Sequence, residues 1–362
     1  MMRRLLLLCL LVGAAPALAQ PAHLVATLDS LRAIAEAADL PGLAITASID
    51  GETVWAEGFG MAVLNAQEPV TPQTRFRVGS VSKSMTAVAV AQLVEAGRLD
   101  VDAPVQAYVP AFPEKRWPVT TRQLGAHLGG IRHYLGDEAV RNVRYPTVAS
   151  GLAIFSADSL LHEPGTQYHY TSYGYNLISA VVEGASDQTF LAYMAAHVFG
   201  PLGMTRTVAD WTDSTYSGTA APYVQWGREF IPAPPVDNSY KWAGGGFLST
   251  VEDMRCLGEQ VVLGDALGER GRALLFTEQT TRDGEGVGYG VGWRLGDDRD
   301  GRPSVFHSGG SMGGSALLYV LPKAGVVLAA ASNVSRADLG WVAGAASALA
   351  AAHEAAVVSP RR

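Results

Sequence analysis

Hydrophobic and polar positions change period along the first hundred residues of the chain. Leu24, Leu28, Leu31 and Ala35 recur at helical spacing, which predicts an amphipathic helix over residues 24–40. Residues 42–60 alternate between apolar and polar positions around the pair Asp50-Gly51, and this pattern is typical of a β-hairpin. The apolar stretch that follows, through residues 85–94, predicts a buried helix.

The pattern changes at about residue 99 and changes back near residue 240. Prolines, turns and short helices dominate residues 99–240. A helix is then predicted near 251–263, strands at 290–295, 304–307, 316–321 and 326–331, an alanine-rich helix near 339–352, and a frayed tail after Val357. Strands at both ends predict an α+β fold, with one antiparallel sheet flanked by helices in a sheet domain (20–98 and 241–356) and an inserted, mostly helical domain (99–240).

The amino-terminal residues have the pattern of a secretory signal peptide. Arg3 and Arg4 precede an apolar run at 5–12, and Ala17-Leu18-Ala19 resembles a cleavage site. The apolar run is too short to span a bilayer. We therefore predict a signal peptide over residues 1–19, export to the periplasm or the exterior, and no stable membrane span after cleavage.

Composition narrows the class of protein further. Hydrophobic residues make up 48% of the chain and charged residues 17%, which favours a well-buried core over disorder. The formal net charge is −7, and no stripe of basic residues is present, so nucleic acid is not an expected partner. Cleavage after Ala19 leaves Cys256 as the single cysteine, which excludes an internal disulfide and predicts an inert core thiol.

Ser80 and Lys83 form the most informative local motif. They open the apolar helix, where residues three apart lie on one face, roughly 5–6 Å apart at Cβ. A serine hydroxyl becomes a nucleophile when a base takes its proton, and a buried lysine amine has the lowered pKa that such a base needs. By itself the motif is equally compatible with a serine N-cap followed by a solvated lysine.

Two further segments contain side chains suited to the same chemistry. Tyr170, in a tyrosine-rich stretch, has a phenol that can relay a proton near a Ser/Lys pair, whereas Tyr173 and Tyr175 are predicted to pack onto the following helix. His307 ends a predicted strand and precedes Gly309 and Gly310, which would let a substrate approach and expose an N–H group. Taken singly, the glycine-rich segment is better explained as a plain turn, and the tyrosine-rich segment is also compatible with a turn that packs onto the next helix.

The three segments together resemble the serine β-lactamase-like superfamily, which includes class C β-lactamases, penicillin-binding D,D-carboxypeptidases and related esterases. That superfamily has Ser-x-x-Lys, Tyr-x-Asn and Lys-Thr-Gly or His-x-Gly motifs, in this order. Ser80-Val81-Ser82-Lys83, Tyr170-Thr171-Ser172 and His307-Ser308-Gly309 match the order over about residues 27–350. The stretches 130–134, 173–175 and 244–250 resemble the subgroup formed by the mitochondrial serine β-lactamase-like protein and its bacterial relatives.

The resemblance implies a β-lactamase/transpeptidase-like fold and a role for each motif. Ser80 would be the nucleophile, and Lys83 and Tyr170 would handle its proton. Backbone N–H groups of Ser80 and Gly310 would hold an oxyanion. The remaining implied substrate-binding residues are Ser172, His307 and Gly309. Neither a metal nor a cofactor is expected, and His127 and His133 are predicted to be structural.

This sequence departs from the superfamily at two places. Ser172 replaces the usual Asn, and a hydroxyl cannot present an amide to a substrate carbonyl. Leu128-Gly129-Gly130 replaces the usual Thr-Ser-Gly, so no role is transferred to that segment.

The sequence thus predicts an exported serine hydrolase that cleaves an amide, peptide or ester bond through an acyl-enzyme on Ser80. Its partner would be a small-molecule or peptide substrate. Two alternatives share these residues, a small-ester hydrolase and a weak β-lactamase. A different class of protein, a non-hydrolytic acylated sensor or a self-assembling scaffold, also stays open, as does the oligomeric state.

Overall fold

The computed structural model describes residues 22–358 of the chain. The predicted signal peptide at 1–19 lies outside these residues, as does most of the tail predicted to fray. No helix within the described range has both the length and the apolar character needed to cross a membrane.

Strands gather mainly into one sheet and helices cover it. The strands are β1 (Gly42–Ile49), β2 (Glu52–Val63), β3 (Glu68–Pro69), β4 (Phe76–Arg77), β5 (Val208–Ala209), β6 (Tyr223–Trp226), β7 (Glu229–Pro232), β8 (Phe247–Ser249), β9 (Arg294–Asp297), β10 (Pro303–Ser311), β11 (Gly314–Leu321) and β12 (Val326–Ser332). The helices are α1 (Ala22–Ala37), α2 (Val81–Glu95), α3 (Thr121–Gly125), α4 (Val148–Leu152), α5 (Tyr173–Ser186), α6 (Phe190–Tyr193), α7 (Trp242–Gly245), α8 (Val251–Leu257), α9 (Glu269–Phe276) and α10 (Trp341–Val358).

The principal sheet is antiparallel and is built from both ends of the described chain. Its strand order is β3-β2-β1-β12-β11-β10-β9. Leu43 of β1 pairs with Ser332 of β12, and Ile49 pairs with Val326. The predicted α+β fold, with one antiparallel sheet formed from both termini, is confirmed.

Alternation along β1 divides the core between the two faces of this sheet. Leu43, Ile45 and Ala47 face a cluster that contains apolar residues of α1 and α10. Ala44 points to the opposite cluster, which contains α2 and α8. All residues of β1, β11 and β12 are buried because both faces of the sheet are covered.

Local expectations for the first part of the chain are confirmed. In α1, the buried residues are Leu24, Leu28, Leu31 and Ala35, as the helical spacing predicts. The β1–β2 hairpin turns at Asp50 and Gly51, whose φ angles of 50° and 80° are those of a type I′ turn.

Two helices predicted for the last part of the chain are also present. The helix predicted near 251–263 is formed by α8 and a π-helical turn through Leu263, and α10 corresponds to the predicted alanine-rich helix.

Residues 99–240 contain four short or medium helices and little sheet. Strand β5 pairs with β8, which also pairs with β4, so a small sheet connects this segment to the chain just before Ser80. The β6–β7 hairpin, turning at Gly227 with φ 64°, was not among the predicted elements. The division into two domains at residues 99 and 240 stays a prediction.

Two predicted strand boundaries are wrong, and glycines explain both. The strand predicted at 290–295 begins only at Arg294, because Gly292 has φ 78° and residues 290–293 form a turn. Strand β10 was predicted to end at His307, yet it continues through Gly309 and Gly310 to Ser311. The turn lies at Met312 and Gly313 instead.

Cys256 lies on α8, half-buried against the larger core cluster, and is a free thiol. Burial raises its pKa, so the thiolate is disfavoured, which agrees with the predicted inert thiol.

Candidate active site

A cleft of about 1170 Å³ opens where the start of α2, strand β10 and helix α7 meet. Most of the predicted site residues line it. Those that contribute are Ser80, Tyr170, Ser172, Gly309 and Gly310. Residues from all three sequence motifs therefore lie together around one cleft.

Ser80 lies at the N-cap position of α2, and its hydroxyl makes no capping hydrogen bond. Gly79, immediately before it, has φ 50° and packs so tightly that a Cβ there would lie 2.6 Å from the Gly310 nitrogen. The bend at Gly79 thus holds Ser80 against β10 and leaves the hydroxyl free for another contact.

Lys83 lies one turn into α2 and is completely buried. Its Nζ lies 3.0 Å from Ser80 Oγ, 3.0 Å from Ser172 Oγ and 2.6 Å from the Gly244 carbonyl oxygen. Burial, with the positive charge of Arg294 adding to it, holds the pKa of Lys83 well below its usual range. A neutral amine has two N–H groups and one lone pair, so these three contacts leave the lone pair available to a hydroxyl.

Tyr170 covers the Ser80–Lys83 pair. Its ring centroid lies 5.0 Å from Lys83 Nζ. Burial raises the pKa of Tyr170, while the neighbouring Ser80 side chain and the charge of Arg294 act in the opposite direction. Tyr170 is consequently a protonated phenol able to pass a proton on.

Ser172 contacts the lysine as well as lining the cleft. It occupies the N-cap position of α5 without a capping hydrogen bond from its side chain, and its backbone N–H donates to Nδ1 of His133 at 3.2 Å. The hydroxyl that replaces the superfamily's amide is thereby part of the lysine's hydrogen-bonding environment.

Gly309 and Gly310 differ in their surroundings although both lie within β10. A Cβ on Gly309 would overlap the Val78 carbonyl oxygen and lie 3.1 Å from the Ser80 nitrogen. A Cβ on Gly310 would meet nothing within 4 Å. Gly309 therefore permits β10 to press onto the start of α2, while Gly310 faces the open cleft.

His307 packs beside Tyr170, with the two ring centroids 6.5 Å apart, and its contact with substrate stays a prediction. It is 1% exposed, and its two ring nitrogens already have partners. Nδ1 donates to the Ser308 carbonyl at 2.7 Å, so Nε2 accepts from the Tyr289 hydroxyl, also at 2.7 Å. Burial, and secondarily the charge on Lys83, lowers the pKa of His307 to about 3, and the ring is neutral.

His127 and His133 hold the chain around the tyrosine motif, in keeping with their predicted structural role. His127 is buried, and its Nδ1 accepts from the Thr171 N–H at 3.2 Å. Burial lowers the pKa of His133 to about 4, so its Nδ1 can accept from Ser172.

Two cations near the site were missed by the sequence analysis. The Arg294 guanidinium carbon lies 5.5 Å from the Tyr170 ring centroid and 5.8 Å from that of Tyr289. Lys241 lines the cleft itself. The scarcity of lysine in the chain was a usable signal for Lys241, whereas nothing in the sequence distinguishes Arg294 from other strand residues.

No cluster of three or more His, Cys, Asp or Glu side chains suited to a metal ion occurs within residues 22–358.

The fold, together with the cluster of Ser80, Lys83 and Tyr170, is that of the β-lactamases and penicillin-binding proteins. The beta-lactamase family model matches residues 29–352, and the chain belongs to this family. It is 32% identical to the human mitochondrial serine beta-lactamase-like protein LACTB, over 82% of this chain and 71% of that protein. It is also 26% identical to the putative penicillin-binding protein PbpX of Bacillus subtilis, over 81% of this chain and 71% of that protein.

Among solved structures, the fold matches the octameric penicillin-binding protein homologue from Pyrococcus abyssi with a TM-score of 0.76 and 27% identity. The match covers 90% of this chain and 77% of that chain. The predicted superfamily is thus confirmed.

Proposed function

We propose that the protein is an exported serine hydrolase that forms an acyl-enzyme on Ser80 and cleaves an amide, peptide or ester bond. The observation that supports this most is the buried Lys83 amine, 3.0 Å from a serine hydroxyl that has no capping partner. An amine held neutral beside a hydroxyl is the arrangement that makes serine nucleophilic.

In the proposed reaction, Ser80 Oγ attacks the substrate carbonyl carbon while its proton moves to Lys83 Nζ. The carbonyl oxygen gains the negative charge, and the backbone N–H groups of Ser80 and Gly310 stabilise it. Collapse breaks the bond to the leaving group, which takes a proton through Tyr170. Water then attacks the ester on Ser80, gives its proton to the Lys83/Tyr170 pair, and releases the acid.

The pKa directions favour Lys83 over Tyr170 as the base. The pKa of Lys83 is lowered and that of Tyr170 is raised, so of the two groups the amine more readily presents a free lone pair. Tyr170 then serves as the relay. His307 supports this arrangement indirectly, because it holds Tyr289, a close neighbour of Arg294.

An open cleft of this volume accommodates a short peptide as well as a small ester. We favour amide or peptide hydrolysis, with small-ester hydrolysis as the alternative, because Ser172 offers a hydroxyl engaged with Lys83 in place of an amide for a lactam. Export rests on the predicted signal peptide. The human relative is named a mitochondrial protein, so this part of the proposal needs its own measurement of location.

Intact-protein mass spectrometry tests the proposal. We expect one fluorophosphonate adduct on the wild type and on Ser214→Ala, an exposed serine away from the cleft, and none on Ser80→Ala. Ser80→Ala should stay folded by circular dichroism and lose less than about 1 kcal/mol of stability, because its hydroxyl caps nothing. Labelling of Ser80→Ala at the wild-type rate would refute the assignment.

A time course with penicillin and with a small ester separates hydrolase from sensor. A hydrolase regains its unmodified mass as the acyl group leaves. A protein that stays acylated by both compounds for hours, without product release, would be the non-hydrolytic sensor instead.

A further inference from the structure

A second groove, of about 410 Å³, lies between helices α4, α5, α6 and α7, and none of its lining residues lines the cleft at Ser80. Its apolar wall includes Val148 at the start of α4 and Leu191 on α6. The volume is that of a site for a small organic molecule. The reaction proposed at Ser80 makes no use of this groove.

Two indole rings form one corner of the groove. The ring centroids of Trp211 and Trp242 lie 4.8 Å apart, and their planes cross at 65°. A cation already lies against one of them, since the guanidinium carbon of Arg144 is 4.6 Å from the Trp211 centroid. Arg144 is paired with Asp213 and is not among the residues that line the groove. The corner therefore offers aromatic faces of the kind that attract positive charge.

The titratable side chains that line the groove within residues 22–358 are both acidic, Glu183 and Asp187 at the end of α5. Asp187 pairs with Arg98 at 3.0 Å, whereas Glu183 forms no salt bridge with any residue of the described chain. One carboxylate oxygen of Glu183 accepts from the Phe190 N–H at 2.9 Å, which leaves its second oxygen for another donor.

Glu183 is half-buried, and burial raises its pKa while the Phe190 N–H acts in the opposite direction. A carboxylate partly removed from water is stabilised by a cation that comes within hydrogen-bond distance. Within the described residues no such cation contacts Glu183, so a ligand would have to bring one.

We propose that this groove binds a small organic cation, with an ammonium group at Glu183 and an apolar or aromatic body against Trp211 and Trp242. An anion would meet two carboxylates, and a neutral apolar molecule would leave Glu183 without a partner. The site is separate from Ser80, and the proposal does not depend on the hydrolase function.

Three probes of similar shape separate charge from apolar contact. Phenethylamine carries the ammonium group, 2-phenylethanol is its neutral counterpart, and 3-phenylpropanoate carries a negative charge. Their dissociation constants would be measured by saturation-transfer NMR titration at pH 8, where the amine stays protonated and a glutamate is ionised. The quantity compared is the ratio of the Kd of the alcohol to that of the amine, since the apolar contact largely cancels in it.

For the wild type at low salt we expect a ratio of about ten, from an ammonium–carboxylate contact together with a partly exposed aromatic face. The propanoate should bind more weakly than the alcohol. Raising the salt concentration should reduce the ratio, because exposed charges are screened.

In Glu183→Gln the ratio should approach one, while the amide oxygen can still accept from the Phe190 N–H and keep the local fold. In Trp211→Ala both the amine and the alcohol should bind about fivefold more weakly, since both lose the apolar contact. Glu95→Gln is the matched control: Glu95 is also half-buried and accepts a backbone N–H, that of Gly271 at 3.0 Å, but lies outside the groove. Its ratio should equal that of the wild type.

The site would be overturned by a wild-type ratio near one, by a ratio unchanged in Glu183→Gln, or by the absence of saturable amine binding up to about 10 mM. Amine binding that persists in Glu183→Gln but is lost in Ser80→Ala would place the amine in the catalytic cleft instead. A wild type that binds no probe and sediments as a dimer, which Trp211→Ala dissociates, would make the groove a contact between two copies of the chain.

Discussion

Two of the chain's four lysines are buried near Ser80, Lys241 in the wall of the cleft and Lys83 one turn into α2, and their partners give them different chemistry. Lys83 lies within hydrogen-bond distance of two hydroxyls and a carbonyl, while Lys241 bonds to a carbonyl and otherwise faces aromatic rings. Burial lowers the pKa of both. Only Lys83 touches a nucleophile, so only Lys83 can act as its base.

Replacement of Lys83 by arginine tests the base directly. Arginine keeps the positive charge but does not become neutral at accessible pH. We expect kcat/KM of Lys83→Arg to fall by about 10²–10⁴, close to the loss in Lys83→Ala, which is the range for removal of a general base. Retention of more than a tenth of the wild-type kcat/KM would assign lysine a purely electrostatic role and move the base to Tyr170.

The assignment of Lys83 as the base also predicts how wild-type kcat/KM depends on pH. Wild-type kcat/KM should rise with pH as Lys83 loses its proton, and the midpoint should lie well below the usual lysine value of 10.5 because the pKa is lowered by burial. Initial-rate assays with a neutral ester across pH 5–10 would show this rise in kcat/KM.

Single residues were predictable where neighbours in sequence decide their geometry. Ser80 and Lys83 are three apart on one helix, so their contact follows from helical spacing. The hydrogen bond between His307 and Tyr289 could not be predicted, because the two residues lie on separate segments that only tertiary packing brings together. Lys241 and Arg294 reach the site only through tertiary packing, which no local pattern encodes.

At the level of elements, the contact between β10 and the start of α2 positions the reacting groups. The two glycines of β10 differ in this contact: a side chain at Gly309 would overlap the Val78 carbonyl, whereas one at Gly310 would point into open space. The sequence indicated the glycines, but they suggested a turn. In the structure they instead allow an extended strand to approach another backbone closely.

A matched pair of alanine substitutions tests this contact. In Gly309→Ala the new methyl group would overlap the Val78 carbonyl, so β10 must move away from Ser80. We expect a loss of about 1–3 kcal/mol in the free energy of unfolding, the cost of overpacking, together with a lower rate of Ser80 labelling. Urea unfolding should show no such loss for Gly310→Ala, where the methyl group has room. Equal stability of the two variants would contradict the close contact.

At the scale of the whole molecule, the first and last strands of the principal sheet are direct neighbours. Strand β1 pairs with β12, and α1 packs beside α10 on the same face. Patterning along the sequence located these elements at both ends, and their antiparallel pairing was predicted. The pairing register depends on contacts across almost the entire chain, and local patterns do not determine it.

Joining the ends tests how much this long-range pairing limits folding. A circular permutant would link residue 358 to residue 22 through about fifteen Gly and Ser residues, which reach roughly 20 Å. It would open between Pro113 and Glu114, in an irregular segment outside helices and strands. Equilibrium stability should stay similar, while refolding should accelerate by about tenfold, since β12 and β1 become close in sequence. Refolding at the unpermuted rate would show that another step is limiting.

During synthesis the β1–β2 hairpin leaves the ribosome long before its other neighbour exists. Until residues 326–332 emerge, β1 offers a row of unpaired N–H and C=O groups along a strand whose side chains are all apolar or small. Such an edge accepts any extended segment, including one from another nascent chain. The interval between release of β1 and arrival of β12 is therefore when this edge is most open to pairing with another chain.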